Sequence, residues 1–155
     1  MTDDWTTTLP RKRMGAGVLF CDEQERVLLV EPTYKPDWEV PGGCVEADES
    51  PRAAAEREVL EELGLSVSVG RLLVTDWVGP RDGRTEGLML IFDGGALVNG
   101  DPVRLPAAEL RGWAWCTEPE AAGRLSPLLA RRVAAAVRAR AAGAAAYLEN
   151  GYDVA

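Results

Sequence analysis

Apolar positions along the chain fall into short runs broken by charged or Gly/Pro-rich turns. Residues 14 to 21 and 26 to 31 read as two short apolar strands. Asp22-Glu23-Gln24-Glu25 joins them in a hairpin-like turn. Residues 66 to 78 alternate and are rich in β-branched side chains, which predicts a strand. Pro80 to Arg84 is a loop tip, and Glu86 leads into a strand over 87–93 that Asp93-Gly94-Gly95 is placed to bulge. Residues 99 to 106, with Gly100, Pro102 and Pro106, read as loop, and 112 to 116 as the closing strand. Ser50-Pro51 and Gly64 bracket a helix over 51–63. A short helix is predicted over 117–124, and a long Ala-rich one over 126–148, with Ser126 as its cap and Pro127 at its first position. In that last helix Leu129, Val133 and Val137 form an apolar stripe fit to pack on a sheet face. Arg131, Arg132, Arg138 and Arg140 fall on its solvated side. This order of elements predicts an α/β fold, a mixed β-sheet between helices in an α/β/α sandwich. One domain spans 1–155, with 1–13 a flexible lead-in.

Composition narrows the picture. The chain has 155 residues, 46% of them hydrophobic, enough for one domain with a substantial core. No apolar run approaches the ~20 residues that span a bilayer, and the N-terminal stretch lacks the apolar core of a signal peptide. Arg11-Lys12-Arg13 is too short to signal nucleic-acid binding. A net charge of −8 argues against duplex nucleic acid as a partner. It leaves a nucleotide open, because a bound cation inverts the local field. Three cysteines, Cys21, Cys44 and Cys116, form no C-x-x-C pair, which suits a reducing cytoplasm and disfavours disulfides or zinc. Cys44 is read as a small side chain in a tight loop. There is no histidine, so mechanisms built on Ser-His or Cys-His pairs are excluded.

The chemistry concentrates on the helix over 51–63. Glu58, Glu61 and Glu62 lie three and four apart on one face, with no lysine among them. Like charges at that spacing repel by about 0.2–0.5 kcal/mol per pair. Glu61 and Glu62 also sit in the last turn, where the helix dipole disfavours negative charge. A hard divalent cation, Mg²⁺ or Mn²⁺, reverses both penalties. Val59 and Leu63 face away from the acids, toward a core.

The full run, Gly43, five residues, Glu49, seven residues, then Arg57-Glu58-Val59-Leu60-Glu61-Glu62-Leu63-Gly64-Leu65, resembles the Nudix box at every fixed position. At average residue frequencies such a match arises by chance about once in ten million chains of this length, so a merely solvated acidic face is disfavoured. Trp38 to Gly43, read as W-x-x-P-G-G, and Glu109 ahead of Trp113-Ala114-Trp115 extend the resemblance. It implies a Nudix-type hydrolase that cleaves a diphosphate linkage in a nucleoside diphosphate derivative by attack of water on phosphorus. It also implies Glu58, Glu61, Glu62 and the backbone carbonyl of Gly43 as metal ligands, with Mg²⁺ or Mn²⁺ as cofactor. Arg57 and Glu49 match positions that orient the acids. The general base is either Glu58 or a downstream acid, with Glu109 leading and Asp82 and Glu86 behind it.

Aromatic rings hold nucleobases by stacking. Trp77 leads that expectation, with Tyr34, Trp38 and Trp113 behind it, and Arg81 and Arg84 placed to reach phosphate or sugar. The expected partner is a small-molecule nucleotide: a (d)NTP, an ADP-ribose-like compound or a nucleotide sugar. No nucleic-acid duplex and no membrane are expected, and the chain is expected to be a monomer or homodimer. Pro80, fifteen residues past Leu65, is a feature that accompanies ADP-ribose hydrolysis in the family. Two alternatives remain open at this point: a Nudix-fold sensor that binds nucleotide without turnover, and an acidic protein that binds Mg²⁺ or Ca²⁺ structurally.

Overall fold

A computed structural model of the chain describes residues 4–97 and 110–154. After a 3₁₀ turn at Trp5–Thr8 come β1 (Arg13–Cys21), β2 (Val27–Pro32), β3 (Gly42–Cys44), α1 (Pro51–Leu63), β4 (Leu72–Val78) and β5 (Gly87–Ala96). Then follow β6 (Leu110–Cys116), α2 (Glu118–Arg124), α3 (Pro127–Ala142), β7 (Ala146–Glu149) and β8 (Tyr152–Asp153). The strands form one sheet in the order β6-β2-β1-β5-β4-β7-β8, with β3 paired to β1. β1 with β5 and β4 with β7 are parallel, and the other pairs antiparallel, so the sheet is mixed as expected.

Alternation along the strands feeds two cores. Ala16, Val18, Phe20, Leu28 and Val30 pack against Ala54, Ala55, Val59 and Leu63 of α1. Leu19, Cys21, Leu29, Leu73 and Ile91 pack against α2 and α3. The helices therefore lie on opposite faces, and the architecture is the α/β/α sandwich. No helix among the described residues is long and apolar enough to cross a membrane.

The feature that positions the site is a splay in the first hairpin. β1 and β2 meet at Cys21↔Val27, next to their turn. Farther along they part, and residues 39–44 fill the gap. Glu39 exchanges backbone hydrogen bonds with Val30 at 2.8 and 3.0 Å, and the Val18 N–H donates to Pro41 O at 2.9 Å. β3 then pairs with Gly15–Gly17 of β1 and delivers the chain to α1. Ser50 accepts from the Ala53 N–H at 3.1 Å and Gly64 closes the helix in the left-handed region, so α1 has the bounds its caps predict.

Three expectations are corrected. Residues 66 to 71 are not strand: the Val69 N–H donates to Glu56 Oε2 of α1 at 2.9 Å, the Gly70 N–H and the Arg71 carbonyl bond the backbone of Asp93, and β4 starts at Leu72. The last helix does not reach 148. Gly143, at φ 71°, caps it after Ala142, and 146–149 becomes β7, parallel to β4. The arginines of α3 are not all solvated. Arg132 is buried on Asp76, and Arg131 donates to Asn150 O at 2.8 Å and stacks on the Tyr152 ring. The bulge in β5 falls where expected: the register skips Gly94 between Leu19↔Asp93 and Phe20↔Gly95.

Candidate functional site

Arg57 is the hub of the acidic helix. Its Nε donates to Glu49 Oε2 at 2.7 Å and its Nη2 to Glu49 Oε1 at 2.9 Å, a two-pronged clamp between helix and preceding loop. Nη2 also reaches Cys44 O at 3.1 Å, tying α1 to the end of β3. Nη1 donates to Glu58 at 3.0 Å and approaches Glu61 at 3.4 Å. The guanidinium thereby supplies positive charge between two of the acids. Together with the Glu46 N–H, it holds the Glu49 carboxyl down at about 2. The same partners push the Arg57 pKa up, Glu49 foremost and Glu58 after it, so the clamp is ionised throughout the physiological range.

The loop comes close to the helix because Gly43 has no side chain. A Cβ there would sit 2.5 Å from Glu58 Cδ, so any larger residue would push that carboxylate out of its present position. Glu58 and Glu62 then line a cleft of about 350 Å³ whose floor is Gly15 to Gly17 of β1 and whose rim includes Gly43 and Cys44. Glu62 is only 9% exposed, whereas the Glu61 side chain is largely exposed beside Arg57.

The fit to a divalent cation can be judged from this donor set. Glu58, Glu62 and the Gly43 backbone offer hard oxygens on one stretch of the cleft, the type Mg²⁺ and Mn²⁺ take. Among the described residues, no three acidic or sulfur side chains are already gathered as a complete ligand cage. Mg²⁺ suits such a partial set, because it keeps several waters and completes its shell with substrate phosphates.

The other predicted residues separate clearly. Tyr34 lines the cleft and is 71% exposed at its lip. Trp77 does not line it: its Nε1 donates to Glu86 Oε1 at 2.8 Å, and that glutamate also pairs with Lys12 at 2.7 Å. Trp77 and Glu86 thus engage each other outside the lining of this cleft. Trp38 packs on the α3-side core with Arg124 over its ring at 4.7 Å. Trp113 packs on the α1-side core. Arg81 bridges Arg84 across an exposed turn that includes Asp82, and none of the three lines the cleft. Glu109 lies outside the described residues.

Sequence reasoning missed Arg132. It enters the cleft from α3, in the other helical layer, together with Leu129 one turn earlier. Its partner Asp76 is fully buried in β4, accepting from Arg132 Nε at 2.7 Å and from the Gly151 N–H at 2.9 Å. The one available signal was Asp76 itself, a charge at the core-facing position between Val74 and Val78.

A mixed sheet between helical layers, with acids of one helix presented to a cleft against a Gly-Gly strand, defines a Nudix-type domain. The NUDIX domain matches residues 11–138, and the chain belongs to that family. A 64-residue segment is 52% identical to diphosphoinositol polyphosphate phosphohydrolase 2 of Rattus norvegicus, covering 40% of this chain and 36% of that protein. The match thus spans about a third of the length of the curated relative. Among solved structures, a MutT protein from Methanosarcina mazei Go1 superposes with a TM-score of 0.70 at 23% identity, covering 87% of this chain and 98% of that one. A UDP-X diphosphatase superposes with a TM-score of 0.71 at 18% identity, covering 92% and 70%. These two likenesses establish the fold.

Proposed function

We propose that the protein is a divalent-cation-dependent hydrolase of the diphosphate linkage in a nucleoside diphosphate derivative. The observation that carries this reading is the pairing of Glu58 and Glu62 with the Gly43 backbone at one cleft, held there by the Arg57–Glu49 clamp. Mg²⁺ or Mn²⁺ would be held by Glu58, Glu61, Glu62 and the Gly43 carbonyl. Bound there, it would neutralise phosphate charge and acidify the attacking water.

The chain's own residues do the rest. Arg57 fixes the acids so that little reorganisation is needed when charge develops on phosphate. The general base in this reading is Glu58, beside Gly43, or Glu109. Tyr34 at the lip offers a ring to the nucleoside. The 52% identity over 64 residues to a protein named as a phosphohydrolase supports the hydrolytic part of this reading.

The test is turnover of a panel with Mg²⁺: (d)NTPs, ADP-ribose, nucleotide sugars, dinucleoside polyphosphates and NADH, with products resolved by chromatography. Metal-dependent cleavage at a diphosphate linkage is expected. Tight nucleotide binding with no turnover across the panel would replace the hydrolase with a sensor.

A further inference from the structure

The cleft contains a group the hydrolytic machinery does not use. Arg132 lies in it at 9% exposure, and Asp76 takes its Nε. Among the described residues, no acceptor engages its Nη1 or Nη2. Breaking a buried ion pair is costly, yet such a pair adds little net stability over apolar residues of similar volume. Placing one at a cleft wall therefore points to binding.

The chemistry of the partner follows from what surrounds the fork. Asp76 cancels the net charge of Arg132, which weakens its pull on phosphate while leaving its directional donors intact. Besides the charged Arg13, Glu39, Glu58 and Glu62, the cleft that Arg132 enters is lined by the apolar Leu129, Val40 and Met89, with Tyr34 at the lip. Apolar walls, an aromatic lip and a fixed planar donor pair suit a heteroaromatic ring with two adjacent acceptors. Guanine and hypoxanthine present O6 and N7 in that arrangement, whereas adenine places an amino donor at position 6.

We propose that Arg132, held by Asp76, reads the base of the substrate and selects a 6-oxopurine nucleotide. This rests on the reading of the cleft as a nucleotide site. The Gly151 N–H bond to Asp76 makes the β7–β8 turn part of the support, with Asn150 anchored to Trp77 O and Gly79 N.

The test is calorimetric binding of GDP, IDP and ADP to the full chain with Mg²⁺. GDP and IDP should bind about 10-fold or more tighter than ADP. In the double variant Asp76→Asn/Arg132→Gln, which removes both buried charges together, GDP and IDP should fall to the ADP level and ADP should move less than about twofold. If its melting transition shows that the double variant is unfolded, Arg132→Lys, which keeps the charge and loses the fork, should show the same loss of preference. Equal or tighter binding of ADP by the wild type, or a guanine preference that survives in the folded variant, would overturn the proposal. Cleavage of the same nucleotides is read separately. A guanine preference without cleavage would support the base assignment and contradict the hydrolase.

Discussion

Glu49 and Arg57 show how single residues set the site before any ligand arrives. Glu49 has a folded-state pKa of about 2 against an ordinary 4.5, chiefly because Arg57 donates to it. A carboxyl depressed on folding stabilises the fold above its unfolded pKa, and that contribution drains as pH falls from about 4.5 to about 2. The stability gap between wild type and Glu49→Gln should therefore be constant near neutral pH and close below pH 4.5. Urea denaturation across that range checks it. Arg57→Lys keeps a charge but cannot hold Glu49, Glu58 and Cys44 O at once. Its Mn²⁺ affinity, read by calorimetry, should drop by about 10–100-fold. The acids of α1 were legible because residues three and four apart must share a helix face. The Asp76–Arg132 pair was not, because its members stand 56 positions apart and no local period links them.

At the scale of elements, legibility followed the caps. α1 had an unambiguous start at Ser50-Pro51 and stop at Gly64, and its bounds were right. The stretch after Arg140 reads as continuous helix former, and Gly143 is the one break in it. That single glycine ends α3 and frees Ala146–Glu149 to pair with β4. No propensity shows this pairing, since it depends on an edge of β4 left open by the rest of the sheet. Gly143→Ala should cost about 1–2 kcal/mol, the penalty for a side chain in the left-handed region. Thermal or urea unfolding measures it, with no Cβ clash to confound the value. Residues 66–71 failed for the opposite reason. Their alternation was real and Val69 is buried, but its N–H is tied to Glu56 of α1, and the pairing with β5 begins at Gly70 and Arg71 with single bonds to Asp93.

Across the whole molecule, both helical layers contribute side chains to the cleft. Glu58 and Glu62 reach the cleft from the α1 face, and Leu129 and Arg132 from the α3 face. The family and the acidic end of the cleft were written in one continuous stretch, Gly43 to Leu65. The specificity end is assembled from β4, α3 and the β7–β8 turn, so only the folded chain shows it. The same division explains Trp77. A tryptophan at a strand end before a loop looks available, and the fold instead spends its N–H on Glu86.

In the proposed reaction the acids of α1 drive metal-dependent cleavage of a diphosphate linkage. The measurement that tests it most directly is the Mg²⁺ dependence of turnover for wild type and Glu62→Gln, on whichever nucleotide the panel identifies. Removing a cation ligand forfeits several kcal/mol of charge stabilisation. Glu62→Gln should therefore lose at least about 100-fold in kcat, and wild type should not turn over once the metal is chelated. Turnover that survives either Glu62→Gln or chelation would contradict it.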